Sequence, residues 1–296
     1  MNFTPLKYAS SSKVKALFGL HPGVLANVLF KVLPELERRR TERLAQRPER
    51  KRVLVADDGR PCAVTPLHKT LMTLLYVRHN VAHAVVGALF GFSADSSENA
   101  FHELLPVLRD LFPKEKWEAE KRHRRQPQWT PDEVERLLID SFETPVSRPS
   151  LHDRQKRLYA GKKKRHTLKT QIITAQNGEI LAVSPAHRGP AADVKIDEQT
   201  PLPAPLADKP RLGDKAYVGA TPTIQTPHKK PKGGVLTEAQ KADNKSLSAQ
   251  RVRVEHGIRR VKGLRITRDE YRLAVGLFSS VVSAVVGLLQ FSQIVG

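Results

Sequence analysis

The apolar residues of this chain change their spacing near Pro131, and that change divides what the chain can fold into. Before it they recur at helical intervals: Leu25, Val28, Leu29, Val32, Leu33 and Leu36 within 25–44, then Leu67, Leu71, Leu74 and Leu75, then Val81, Val85, Leu89 and Phe90, then Ala100, Leu104, Leu105 and Leu108. Such intervals gather apolar side chains on one stripe of a helix. After Pro131 the pattern is that of strands: a buried run over 134–142, an alternating run over 165–174 and a third over 179–183. Asn177-Gly178, between the second and third, is a hairpin turn. A fourth strand is expected over 211–216 and a weak fifth over 222–226. Thr237 and Gln240 have capping-box spacing and open a long helix running through Glu255 to Gly263, and a last helix is expected over 271–294.

A helical front and a strand-rich back predict an α/β chain with an N-terminal all-α domain. The expected divisions are a helical segment over 1–65 with a turn at 57–61, a helical domain over 66–113, a basic linker over 114–131 and an α/β domain over 132–296. Within 66–113, two helices joined by the short turn Gly91-Phe92-Ser93 have the order of a helix-turn-helix, the second helix beginning near Asp95 with Glu98 at capping-box spacing. Its apolar residues face inward, which leaves Ser96, Ser97, Asn99 and His102 as expected groove contacts. Asp95, Glu98 and Glu103 repel phosphate, and a plain three-helix bundle is the alternative. In the back half, three antiparallel strands, a fourth strand and then helices are the order of an RNase-H-like domain.

Lysine and arginine number 50 against 30 acids, a net charge of +20, and the pI is near 10.2. Such an excess is expected of a protein that meets a polyanion. The cations cluster: between Asp153 and Glu179 there are eight and no acid, among them Lys162, Lys163, Lys164 and Arg165; Lys229, Lys230 and Lys232 form a second patch, and 251–268 a third. For any one patch a solvated surface is the plain alternative. The single cysteine, Cys62, excludes an internal disulfide framework and a multi-cysteine zinc site. The first residues lack the basic flank and apolar core of a secretory signal. The uncharged stretch 273–296 has the length of a bilayer span, but its serines and glutamines favour a buried helix, so no membrane contact and a cytoplasmic, nucleoid-associated location are expected.

Three carboxylates stand out against this positive background: Asp140 near the end of an apolar run, Asp214 within Arg211-Leu212-Gly213-Asp214-Lys215-Ala216-Tyr217, and Glu255 within the basic helix. On that helix Val254, Ile258 and Val261 form an apolar stripe, with Glu255, Arg259 and Lys262 on another face. A surface pair between Glu255 and Arg259 is the bland reading. In the RNase-H-like order, however, all three carboxylates can converge. Oxygen ligands suit Mg²⁺ or Mn²⁺, and two such ions about 3.5 to 4 Å apart hold the attacking and leaving oxygens of an in-line phosphoryl transfer.

Five segments in order carry a resemblance: Leu138-Ile139-Asp140-Ser141-Phe142-Glu143-Thr144-Pro145; Tyr159-Ala160-Gly161-Lys162-Lys163-Lys164-Arg165-His166-Thr167-Leu168-Lys169; Gly213-Asp214-Lys215-Ala216-Tyr217; Lys230-Pro231-Lys232-Gly233-Gly234; and Val254-Glu255-His256 with Arg259 and Lys262. Over about residues 66–294 the chain resembles DDE-type transposases of bacterial insertion sequences, the insertion-sequence-five-like group with an N-terminal helix-turn-helix. The resemblance implies that Asp140, Asp214 and Glu255 are the catalytic, metal-binding triad for two Mg²⁺ (or Mn²⁺) ions. It implies that Arg259 and Lys262 contact phosphate, with Tyr217 near the second aspartate. The implied reaction is cleavage at the element's ends and joining of the 3′-hydroxyl to target DNA. The implied partners are double-stranded DNA, as terminal inverted repeats and target, and a second copy of the chain in a homodimer or higher oligomer. Two departures stand out. Ala216 replaces a glycine common in relatives, and Gly189-Pro190-Ala191-Ala192-Asp193 is a degenerate form of a motif with histidine before the aspartate, so Asp193 is read as structural. A catalytically silent DNA-binding regulator derived from a transposase, and a structure-specific nuclease, are the alternatives.

Overall fold

The computed structural model describes residues 10–46, 64–220 and 224–296; the turn expected at 57–61, Cys62 and the first residues of the fifth strand lie outside them. The front half is helical: α1 (Ser11–Phe18), α2 (Pro22–Ala45), α3 (Pro66–His79), α4 (His83–Phe90) and α5 (Ala94–Leu111). The basic cluster at the end of α2 is held in ion pairs, Arg38 and Arg39 with Glu35 and Arg39 also with Asp110.

Gly91 ends α4 with a positive φ of 76°, a left-handed conformation that lets the chain turn sharply into α5. The cap of α5 is Ser93, whose Oγ accepts from the Ser96 backbone N–H at 3.1 Å, two residues before the cap expected from Asp95 and Glu98. On α4 the inward face is Val86 and Phe90, whereas Val85 and Leu89, expected inside, are exposed. Adjacent positions on a helix are about 100° apart, so only one of the two i,i+4 pairs faces the core.

The segment expected as a linker carries a further helix, α6 (Lys116–His123). Lys116 and Glu120 form a buried i,i+4 pair there, and Trp117 packs on Trp129 with ring centroids 5.8 Å apart. Those contacts bind a charge-rich segment to the fold despite its composition.

The back half is a mixed sheet. Strand β1 (Leu137–Pro145) pairs antiparallel with β3 (Arg165–Ala175), which also carries β2 (Tyr159–Ala160), β4 (Ile180–Val183) and β5 (His187–Arg188) as antiparallel neighbours. On its other side β1 pairs in parallel with β6 (Arg211–Leu212), and β6 with β7 (Ile224–Gln225). Helices α7 (His152–Leu158) and α8 (Asp193–Gln199) connect strands, and α9 (Glu238–Lys262) and α10 (Phe278–Val295) follow the sheet. The fourth strand is shorter than expected because the Asp214 carboxylate accepts from the Ala216 N–H at 2.8 Å and bends the chain into a single 3₁₀ turn, Lys215–Tyr217. In α9 the Thr237–Gln240 capping box forms as its spacing predicts.

Helix α10 is the seam between the two halves. Its Phe291 meets Phe112 with centroids 4.8 Å apart, and its Gln290 side chain donates to the Ile180 and Lys114 carbonyls. By length and composition Val275–Val295 could cross a membrane, but more than half of that window is buried within the fold. Buried Val28, Leu104, Val254 and Phe291 all belong to one apolar cluster, so both halves share a core.

Candidate active site and nucleic-acid surface

The parallel pairing of β1 with β6 places the first two carboxylates. Leu138 is in register with Leu212, and Asp140 and Asp214 each stand two residues further along, the first still on β1 and the second just past the end of the neighbouring β6. Neighbouring strands lie about 4.8 Å apart, so the Asp214 charge is felt at Asp140 and raises the cost of ionising it. Burial pushes the Asp140 carboxyl up to about 6; Asp214 and Asp193 act in the same direction, while the Ser141 N–H and Arg251 oppose it.

Tyr217 lies beneath this group. Its ring is buried, its hydroxyl accepts from Gln171 Nε2 at 3.2 Å, and burial together with the carboxylates of Asp193, Asp140 and Asp214 pushes the phenol upward. Gly213 is required by its ring: a β-carbon at position 213 would fall 2.9 Å from Tyr217 Cδ2, inside van der Waals contact.

Helix α9 turns Leu247, Val254, Gly257 and Val261 to the interior. The neighbouring stripe, at i, i+4, i+7 and i+11, is Arg251, Glu255, Ile258 and Lys262. Its two ends reach β1. Arg251 Nη2 stands 3.4 Å from Asp140 Oδ2, and Lys262 Nζ lies 5.7 Å from the centroid of the Phe142 ring. Burial and the nearby Lys163 push the Lys262 ammonium down. Glu255 sits between these two on the same stripe and is exposed. Among the described residues, no three His, Cys, Asp or Glu side chains are grouped so as to hold a metal ion. The donor chemistry nevertheless fits a hard divalent cation, because all three candidates are carboxylates.

The expected DNA contacts divide by exposure. Lys162, Lys163, Lys164 and Arg165, the β2–β3 connection and the start of β3, are exposed and form no ion pair with an acid among the described residues; Lys229, Lys230, Lys232 and Arg259 are exposed as well. On α5, Asn99 and His102 are exposed and Ser96 is half-buried. Ser97 is a correction: it is buried, 1% exposed, and its Oγ meets His83 Nδ1 at 3.0 Å, so it packs inside the helical domain. Its place on the helix, four residues before Phe101, could have shown this.

The comparisons with known proteins bear on both halves. Residues 139–290, which contain all three carboxylates, match the family model described as DDE superfamily endonuclease. The chain belongs to that superfamily. Residues 62–114 match the helix-turn-helix of DDE superfamily endonuclease. The chain is 32% identical over 145 residues to a probable transposase for insertion sequence element IS702 of Microchaete diplosiphon, covering 48% of this chain and 51% of that protein. It is 25% identical over 213 residues to a putative transposase for insertion sequence element IS112 of Streptomyces albus G, covering 71% and 74%. The first match thus spans about half the length of each protein. No solved structure matches. These matches bear out the resemblance to DDE-type insertion-sequence transposases and the α/β fold with a helix-turn-helix front, and the two matched domains imply DNA binding. Endonucleases of this superfamily generally use divalent metal ions.

Two residues at the candidate site carry more than their sequence context shows. Asp193, read as structural, begins α8 and accepts from the Ser141 hydroxyl, next to Asp140, with Lys169 Nζ 3.4 Å from its other oxygen. Arg251 approaches Asp140 across 111 positions of sequence. Its spacing four residues before Glu255 was the available signal.

Proposed function

We propose that this chain is a DNA transposase that binds element ends and performs divalent-metal-dependent strand cleavage and strand transfer. The observation that supports the reading is the β1–β6 register, in which Asp140 and Asp214 each stand two residues beyond the Leu138–Leu212 pair, together with the 3.4 Å approach to Asp140 of Arg251, one helical turn before Glu255 on α9. In this reading Asp140, Asp214 and Glu255 hold two Mg²⁺ or Mn²⁺ ions, which when bound supply charge neutralisation at the attacking and leaving oxygens. Lys262 and Arg259 orient the scissile phosphate, Lys162, Lys163, Lys164, Arg165, Lys229, Lys230 and Lys232 hold the flanking duplex, and α5 reads the terminal repeat through Ser96, Asn99 and His102. A helix-turn-helix over 66–113 and a catalytic domain over 132–296, a homodimer or higher oligomer at synapsis, and a cytoplasmic location on the nucleoid complete the proposal.

The test is nicking and joining of DNA carrying the element's terminal inverted repeats. Asp214→Asn abolishes both at unchanged DNA affinity, and a variant that still cuts removes Asp214 from the triad. Two observations favour a second reading, a catalytically silent DNA-binding regulator: Arg251 pairs with Asp140, and no three carboxylates are grouped among the described residues. Repeat binding with no metal-dependent nicking by the wild type selects it.

A further inference from the structure

Beyond the carboxylates, the far end of β1 carries a second concavity whose chemistry differs from theirs. It is a cavity of about 500 Å³ lined by Arg148, His152, Gln155, Lys156, Tyr159 and His166. Volumes of roughly 300 to 1,000 Å³ are those of small-molecule sites. None of the lining residues is acidic, and Arg148 and Lys156 form no ion pair among the described residues. Arg148 is nonetheless held in place, since its Nε donates to Gln155 Oε1 at 3.1 Å and the Gln155 amide donates to the Pro149 carbonyl at 2.8 Å.

The floor is aromatic. Tyr159 and His166 are cross-strand partners, their rings meet edge to face with centroids 5.5 Å apart, and Tyr159 is 46% exposed. An amphipathic ring left half in solvent, with a fixed guanidinium and an ammonium beside it, is the pairing used to stack a base and hold its phosphate. Arg148 also lines a neighbouring cleft of about 680 Å³ that carries Arg154, Arg157 and Arg188, so the cationic surface continues past the cavity. Thr167 is in register with Pro145 and Ile172 with Asp140. The cavity therefore lies about six residues along β3 from Asp140, roughly 20 Å at 3.4 Å per residue.

We propose that this cavity takes one unpaired nucleotide of a DNA strand, its base stacked on Tyr159 and its phosphate held by Arg148 and Lys156. The proposal rests on the DNA reading above and deepens it: strand opening near the cut end would be captured on α7 and β2, while the paired duplex continues along the basic loop. Duplex alone has its bases stacked internally and offers no face to Tyr159. Base–aromatic stacking tolerates any base, so the subsite selects unpaired geometry rather than sequence.

The test uses the full chain and two DNA probes of one sequence, a blunt duplex and the same duplex ending in a short single-stranded overhang that carries 2-aminopurine. The wild type binds the overhang probe more tightly and its fluorescence is quenched on binding. Tyr159→Ala removes the quenching and weakens overhang binding about tenfold, the size of one base–aromatic stack. Blunt-duplex affinity and the melting temperature stay unchanged. Tyr159→Phe keeps the ring and restores both signals, and Lys156→Ala lowers the salt dependence of overhang binding by about one ion. Equal binding of both probes by the wild type, or Tyr159→Ala behaving as wild type or losing both probes equally, overturns the subsite. A wild type that binds neither probe overturns the DNA reading itself.

Discussion

Arg251 holds Asp140 across a 3.4 Å gap, so the helix that carries Glu255 also supplies the cation opposite the first carboxylate. The guanidinium is not fully satisfied there, because its buried Nε finds no hydrogen-bond partner among the described residues. A divalent ion at Asp140 and Asp214 would therefore compete with Arg251 rather than add to it. Arg251→Gln removes the competitor and keeps a polar side chain of similar reach. Calorimetric titration of the DNA-free protein with Mn²⁺ is expected to show about three- to tenfold tighter binding, the range of a partly exposed ion pair. Unchanged or weaker Mn²⁺ binding would count against this competition.

The raised carboxyl of Asp140 gives a pH dependence with a definite sign. Its ordinary value is 3.8, and burial lifts it to about 6 in the fold. The folded state then binds more protons than the unfolded state between those values, so this group's contribution is fully present below pH 3.8 and is lost as pH rises through 6. At neutral pH the charged carboxylate costs on the order of 1 to 3 kcal/mol, allowing for its partial exposure. Asp140→Asn is expected to be more stable than wild type above pH 6 in metal-free buffer, with the advantage shrinking as pH falls to 4. Urea denaturation of both proteins across that range measures it. Mn²⁺ should reverse the order by stabilising only the wild type.

Gly213 and Tyr217 are a matched pair. Because a β-carbon at 213 would meet the Tyr217 ring at 2.9 Å, Gly213→Ala must displace either the ring or the turn that holds Asp214. The expected cost is about 1 to 3 kcal/mol, as for other overpacked interiors. Nicking should fall further than stability does, with duplex affinity retained, because Asp214 follows Gly213 directly. Denaturant midpoints, gel-shift affinities and nicking rates on the same preparations separate the two effects.

The helix-turn-helix predicts a different loss. Asn99 and His102 are exposed on α5, whereas the exposed loop at Lys162–Arg165 is distant in sequence and purely cationic. Asn99→Ala is expected to cost about 1 to 3 kcal/mol on the terminal repeat and little on unrelated DNA, the signature of base readout. Lys163→Ala should weaken both equally and reduce the salt dependence. Competition gel shifts with repeat and scrambled duplexes distinguish the outcomes.

The parts of the fold that depend on local pattern were legible. The α9 capping box at Thr237 and Gln240, the strands around Asp140 and 165–174, and the helical runs of 66–113 follow from side chains within a few residues of one another. What the pattern could not supply were contacts across the chain. Ser141 reaches Asp193 over 52 positions and Asp140 reaches Arg251 over 111, and no spacing rule links such pairs. Composition also misled at 114–131, where a charge-rich stretch is bound to the fold because Lys116 and Glu120 neutralise each other inside it. The shortened fourth strand has the same origin, a side chain of Asp214 that outcompetes the ladder for the Ala216 N–H.

Asp193, read as structural from the sequence, touches Ser141 on β1 and Lys169 on β3, and it yields a two-part prediction. It accepts from the Ser141 hydroxyl with one oxygen and faces Lys169 Nζ at 3.4 Å with the other, and Lys169 is only 8% exposed. Asp193→Ala leaves that ammonium with the Ala191 carbonyl as its remaining partner, at 2.8 Å. The loss of a nearly buried counter-charge is expected to cost about 2 to 4 kcal/mol. Asp193→Asn keeps an acceptor for Ser141 and should cost less. Because Asp193 is among the groups that hold Asp140 above its ordinary range, Asp193→Asn is also expected to lower the midpoint of Asp140. Carboxyl-carbon NMR titration of Asp140 in the two proteins reads this directly. A midpoint that does not move while stability drops would make Asp193 a packing residue with no electrostatic role at the site.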